Sequence, residues 1–308
     1  MSENTPLVSV CTLAYNHEPY IRECLDGILM QKTNFAFELL IHDDASTDGT
    51  ADIIREYEAK YPDIIKPIYQ TENQYSKGVK INATIQFPRA KGKYIALCEG
   101  DDYWTDPLKL QKQVDFMEAK EEYSLCFHNA KVIYEHKNKE PHLFANIENR
   151  EYSAPEIYET WYIQTATVLF KAQSLFKNID ILQTNKFYYG DNPLFCTLSL
   201  DGKLYGMKDV MSAYRVNNGG VTNLFSKDTD KLLNHQIVVL EIFNEKYGIQ
   251  LTNRIIKSII FRYICENVSS NKYKTAIDTI RNCKKYLLLK DYLYIIRISI
   301  SSIIRKYT

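Results

Sequence analysis

Within the first hundred residues, four short apolar runs alternate with three stretches of helical periodicity. Residues 7–13 (LVSVCTL), 37–41, 64–69 and 94–98 are too short for helices and are bounded by polar or turn-forming residues. They read as buried strands. Between the first two, Ile21, Cys24, Leu25, Ile28 and Leu29 recur on one helical face, and Pro19 suits the opening turn. Ile53, Ile54, Tyr57 and Tyr61 form a second stripe, and residues 78–90 are expected to be helical as far as Pro88. The order β-α-β-α-β-α-β predicts a doubly wound, mostly parallel α/β sheet with helices on both faces. Ligands of such sheets bind outside the carboxyl ends of the strands.

Polar residues cluster at those ends. Tyr15 and Asn16 follow the first strand, Asp43 and Asp44 the second, and Asp101 and Asp102 the fourth, after Gly100 breaks it. Two adjacent carboxylates repel each other and become costly when desolvated, and a divalent cation with oxygen ligands relieves both costs. Taken alone, the pair reads equally well as a solvated turn. Ser46, Thr47 and Asp48 are good helix caps, so the second cluster also has a purely structural reading. No GxGxxG follows the first strand, which disfavours a dinucleotide dehydrogenase.

After Trp104 the alternation loosens. A helix capped by Asp106 and Pro107 is expected to about residue 119. Strands are expected over 124–134, 165–170 and 204–215, the last as one or two. Residues 137–153 read as a polar excursion, 191–200 as a helix, and everything beyond about 225 as helical. The 308 residues carry 45% apolar and 25% charged side chains, ordinary for a chain with a real core. The net charge of zero hides an imbalance: residues 252–308 hold twelve Lys/Arg against three Asp/Glu. Seven scattered cysteines without CxxC spacing fit reduced thiols in a cytoplasmic protein. No signal peptide is visible, and no run reaches the roughly 18 uncharged apolar residues of a membrane span.

Four ordered pieces, VSVCTLAYN, IHDDASTDGT, GKYIALCEGDDYWTDPLKL and YYGDNPLF, resemble family 2 glycosyltransferases of the GT-A fold, over about residues 7–220. The resemblance implies a catalytic domain over 1–225, with a nucleotide-sugar half to about 105 and an acceptor half from 106. A helical extension then spans 226–308. It implies transfer of a sugar from a UDP-sugar, or as second choice a dTDP-sugar, to a hydroxyl of a saccharide or lipid-linked saccharide. The anomeric centre would be inverted and Mn²⁺ or Mg²⁺ would assist. The biosynthesis of surface polysaccharide is the implied setting.

Residue by residue, the resemblance makes Asp102 the principal metal ligand, with Asp101 facing the ribose or a metal-bound water. Asp44 would accept the N3–H of the base and Tyr15 would stack on it. Lys77, Lys80 and Arg215 would meet the diphosphate, and Gly219 and Gly220 would supply a flexible lid. Trp104 would shape the acceptor pocket. Asp191 would be the general base, with Gly190 standing where the family often has Glu. Each has a plainer reading: packing for Tyr15 and Trp104, a helix cap for Asp191, an exposed hairpin turn for residues 214–223. A nucleotidyltransferase of similar fold and an inactive sugar-nucleotide-binding or scaffold protein are the alternatives. The first should show a Gly-rich basic loop that VCTLAYNHEPY lacks.

In the tail, residues 287–304 form a broad apolar face with Lys290, Arg297, Ser301 and Arg305 near one stripe. Such a helix suits an anionic membrane surface, which the segment 286–306 would contact from the cytoplasmic side. Packing on the catalytic domain or on a partner subunit, including a homo-oligomer, is the alternative. No nucleic-acid partner is expected.

Overall fold

The computed structural model describes residues 5–135, 139–184, 186–217 and 229–307. The chain divides into two compact units, residues 1–185 with 189–217, and residues 186–188 with 218–308.

The larger unit is built on ten strands: β1 Val8–Ala14, β2 Phe37–Asp43, β3 Ile65–Tyr69, β4 Tyr94–Leu97, β5 Tyr103–Trp104, β6 Tyr123–Tyr134, β7 His142–Leu143, β8 Arg150–Tyr152, β9 Leu169–Lys171 and β10 Lys203–Val216. They form one sheet in the order β3-β2-β1-β4-β9-β6-β10-β5, with β7 on β6 and β8 on β10. The long ladders β1–β2, β2–β3, β1–β4 and β6–β10 are parallel. β9 runs antiparallel between β4 and β6 and joins the early strands to the late ones. The expected mostly parallel α/β sheet is therefore present, and it is continuous from residue 8 to residue 216.

Alternate residues of each strand feed opposite cores, as pleating requires. Val8, Val10, Leu39 and Ile41 pack with Ile21, Cys24, Leu25 and Ile28 of α1 (Ile21–Leu29), with Ile54 and Tyr57 of α2 (Thr50–Lys60), and with one later helix. Cys11, Leu40, Ile95 and Leu97 pack on the other face with Phe87 of α3 (Phe87–Arg89). The later helices are α4 Lys109–Ala119, α5 Ala154–Glu159, α6 Ala172–Phe176, α7 Ile179–Leu182 and α8 Asp191–Leu198. α4 joins the first face through Leu110, Val114 and Met117, and α5, α6 and α8 join the second. Burying one such aliphatic side chain contributes about 1.5–3 kcal/mol.

Several local expectations change. Residues 78–90 begin as a loop, and a wide turn Asn82–Gln86 leads into α3, with Pro88 inside its last turn. Residues 165–167 form a 3₁₀ turn, and the strand there is only β9. The polar stretch 137–153 contains β7 and β8. α5 starts on a capping box: Ser153 Oγ accepts from the Glu156 N–H at 3.4 Å, and the Glu156 carboxylate accepts from the Ser153 N–H at 2.9 Å.

The smaller unit is helical: α9 Thr229–Glu241, continued by the turn Ile242–Lys246, then α10 Arg254–Ser269, α11 Tyr273–Asn282 and α12 Leu289–Tyr307. Leu233, Val239, Phe243, Ile256, Ile260, Ile264 and Ile295 are buried in it. Lys257 of α10 pairs with Asp291 of α12 at 2.7 Å.

Candidate active site

The loops after β1 and β2 are tied to each other. Asn16, in the left-handed region at φ 55°, gives its N–H to Ser46 Oγ at 2.9 Å, and its Oδ1 accepts from the Thr47 N–H at 2.8 Å. The residue therefore joins the loops after two strands. Tyr15 stands beside it, 45% exposed on the rim.

Asp44 is buried. Its two carboxylate oxygens accept from the backbone N–H groups of Gln74 and Tyr75, at 2.7 and 3.0 Å. It thereby fixes the loop after β3 and presents the exposed ring of Tyr75 on the same rim. His42 Nε2 lies 3.5 Å from Asp44 Oδ1. Burial pushes the His42 pKa down, so the ring is neutral there. Lys77 is exposed and paired with Glu72. Lys80 is half-buried, and burial lowers its pKa.

The turn after β4 carries the central group. Gly100 donates its N–H to the Leu13 carbonyl at 2.9 Å. A Cβ there would stand 2.7 Å from His17 Nδ1 and 3.0 Å from the Leu13 oxygen, so only glycine lets the turn lie this close under β1. Asp102 points inward and is 2% exposed. Its Oδ1 accepts from the Arg215 backbone N–H at 2.8 Å and its Oδ2 from Gln164 Nε2 at 2.6 Å. Asp101 is half-buried, and one of its oxygens accepts from Asn217 Nδ2 at 2.9 Å. Burial raises the Asp102 pKa, with the Asp101 charge adding to the shift.

Glu99, which the sequence did not single out, belongs to the same group. Its pKa is pushed up to about 8 by burial and by the nearby charges of Asp101 and Asp191. Asp191 is the first residue of α8, half-buried, with its pKa raised to about 6 by burial against the opposing pull of helix N–H groups. The fold thus brings residues 99, 101 and 191 within electrostatic reach across about ninety positions of sequence. The Glu in EGDD, one position beyond glycine from Asp101, was the available signal.

Two expected site residues have structural partners. Trp104 is 1% exposed; its Nε1 donates to the Ala166 carbonyl at 2.9 Å, and the Lys109 ammonium sits 3.9 Å from its ring centre. Burial removes it from any acceptor pocket. Arg215 is committed to the protein: Nε donates to the Asp101 carbonyl at 3.0 Å, the guanidinium pairs with Glu23, and it lies over Tyr20 and Tyr103 at 4.9 and 5.4 Å. It clamps the acidic turn. The glycines 219 and 220 lie outside the described residues.

Among the described residues no three His, Cys, Asp or Glu side chains are posed to hold a metal by themselves. The donor set still fits a hard divalent cation that takes its other ligands from phosphate and water. The Glu99 carboxylate has no hydrogen-bond partner among the described residues, and its pKa is raised first by burial and then by the neighbouring carboxylates, costs of the charged form that a cation would offset.

An acidic turn at the carboxyl edge of a largely parallel sheet, with a separate carboxylate on a helix beside it, is the GT-A glycosyltransferase layout. The chain belongs to glycosyl transferase family 2, whose model matches residues 9–180. It is 38% identical over 214 residues to the uncharacterized protein Rv1520 of Mycobacterium tuberculosis, a match covering 70% of this chain and 60% of that protein's own length. Over 117 residues it is 39% identical to TuaG of Bacillus subtilis, described as a putative teichuronic acid biosynthesis glycosyltransferase; that match covers 38% of this chain and 44% of TuaG. The fold is similar to that of S. aureus TarS 1-349 in complex with UDP-GlcNAc, with a TM-score of 0.62 and 17% identity over 96% of this chain and 88% of the other.

Proposed function

We propose that the chain is an inverting, metal-assisted glycosyltransferase that moves a sugar from a UDP-sugar to a hydroxyl of a saccharide or lipid-linked saccharide. A dTDP-sugar is the second choice of donor. The observation that carries this is the convergence of Glu99, Asp101 and Asp191 in unequal environments. Family membership and the UDP-GlcNAc complex of TarS support a nucleotide-sugar donor, and the description of TuaG supports surface-polysaccharide synthesis.

Asp101 and Glu99 would hold Mn²⁺ or Mg²⁺, and that cation would stabilise the charge of the departing diphosphate. Asp102 is the less favoured ligand because it is 2% exposed and each of its oxygens already accepts from the protein, whereas Asp101 is only half-buried. Asp102 instead fixes the turn. Tyr15 and Tyr75 offer exposed rings to the base, next to the loop that Asp44 anchors. Lys77 and Lys80, between β3 and α3, would meet phosphate. Asp191, ionised at neutral pH and more basic than an ordinary carboxylate, takes the acceptor's proton as the oxygen attacks the anomeric carbon. The test is a panel of nucleotide sugars, scored for thermal stabilisation with and without Mn²⁺. Stabilisation by a uridine or thymidine sugar is expected, and none by any sugar nucleotide would overturn the function.

We also propose a cytoplasmic enzyme peripheral to the membrane. No helix among the described residues is long and apolar enough to cross one. On α12, however, Leu289, Leu293, Ile296 and Ile300 are 80, 63, 55 and 53% exposed along one stripe. Lys290 and Arg297 flank that stripe, while the acidic Asp291 is turned inward to Lys257. An apolar stripe flanked by positive charge suits an anionic lipid surface.

A further inference from the structure

The chain has two tryptophans, and burial of Trp104 leaves Trp161 as the one that reaches solvent, 41% exposed. Its position is set by the backbone. The Thr160 N–H donates to the Glu156 carbonyl at 2.9 Å at the end of α5. The Tyr162 N–H then donates back to the Thr160 carbonyl at 2.7 Å, closing a three-residue turn with Trp161 at its apex. On the far side the chain is anchored again. The Tyr162 ring meets Tyr152 edge-on at 5.1 Å, Ile163 is buried, and Gln164 holds Asp102. A hydrogen-bonded turn, anchored on both sides, therefore presents a large apolar ring to water.

A single exposed aromatic is ordinary on a protein surface. The neighbours of this one are not. Its ring meets Tyr189 at 6.0 Å with an interplanar angle of 62°. Tyr189 precedes Asp191 by two residues, a Cα separation of at most about 7 Å. Gln164, the side chain that fixes the acidic turn, is three residues from Trp161, at most about 11 Å along the chain. The aromatic pair is thus tied by short chain segments to the base on one side and to the anchor of the acidic turn on the other, within one sugar ring's reach of both. Sugars carry weakly positive C–H bonds on one ring face, and these match the negative face of an indole.

We propose that Trp161 and Tyr189 form the platform on which a pyranose ring of the acceptor stacks, with its attacking hydroxyl toward Asp191. The proposal rests on the assignment of Asp191 as base and supplies the acceptor contact that Trp104 cannot make.

The two tryptophans give a direct readout, because Trp104 is shielded and serves as an internal reference. The probes are a set of methyl pyranosides and their β-linked disaccharides, titrated into the protein with UDP and Mn²⁺ present. At least one should shift or quench the emission, and W161F should lose that response. For the same glycoside, W161A should raise the acceptor KM by about tenfold, with kcat changing less, and W161F should restore most of it. Emission indifferent to every glycoside, or an unchanged acceptor KM in W161A, overturns the platform. D191N separates the two ideas: it should keep the emission response and lose transfer. Transfer that survives in D191N removes the base and leaves the platform standing.

Discussion

Gln164 donates its side-chain amide to Asp102 Oδ2 at 2.6 Å, across sixty-two residues of chain. With the Arg215 N–H on the other oxygen, this makes Asp102 the peg of the acidic turn. Asp102→Ala strands the buried Gln164 amide and the part-buried Arg215 N–H, at a cost of about 1–3 kcal/mol for the buried donor, and should lower Tm in a thermal melt. Asp101→Ala alters a half-exposed side chain and should leave Tm nearly unchanged. It should instead reduce Mn²⁺-dependent turnover, on the order of a hundredfold. The reverse pattern would return the metal to Asp102.

Asp191 gives a pH signature. A carboxyl acts as a base only when ionised, and burial raises this one to about 6. Turnover should therefore rise with pH through about 6 and level off above it, whereas an ordinary Asp would level off above about 4. Asp191→Asn should lower turnover by about 10²–10⁴-fold and remove the acid limb, while calorimetry still detects UDP. A rate flat from pH 5 to 8, or turnover intact in the Asn variant, would exclude Asp191 as base.

Gly27 lies inside α1 against the backbone of β5. A Cβ there would be 2.7 Å from the Trp104 carbonyl oxygen and 2.9 Å from its nitrogen. In a helix interior with room, Gly→Ala stabilises by about 1 kcal/mol. Here the neighbouring backbone cannot yield, so Gly27→Ala should destabilise by about 1–3 kcal/mol in urea unfolding. A stabilised variant would mean that α1 and β5 stand further apart.

The same contact shows what the sequence could and could not carry. The apolar runs of β1, β2, β3 and β4 and the stripes of α1 and α2 were legible because each is a local pattern with its own period. The rim clusters followed from the ends of those runs. Which of two adjacent aspartates faces inward depends on Gln164 and Arg215, far along the chain, and nothing in EGDDYW encodes it. Trp104 was misplaced for the same reason: its burial needs Gly27 on one side and the Ala166 carbonyl on the other. β9 was mis-bounded because a three-residue antiparallel insertion has too few residues to show alternation.

The exposed stripe of α12 sets a further outcome. The full chain should co-sediment with vesicles containing phosphatidylglycerol and much less with neutral ones, and added salt should weaken it. Leu293→Glu, at a 63% exposed position, should abolish pelleting without lowering Tm. Equal pelleting of both proteins would rule out the membrane face, and a change in oligomeric state with Leu293→Glu would assign it to a second copy.

The most direct test of the central claim is UDP release from a panel of UDP-sugars, followed with Mn²⁺ and again with EDTA, for the unaltered protein and for Asp101→Ala. Release that requires the metal and collapses in the variant is expected. Metal-independent release that Asp101→Ala leaves intact would contradict a diphosphate–metal site on the turn after β4.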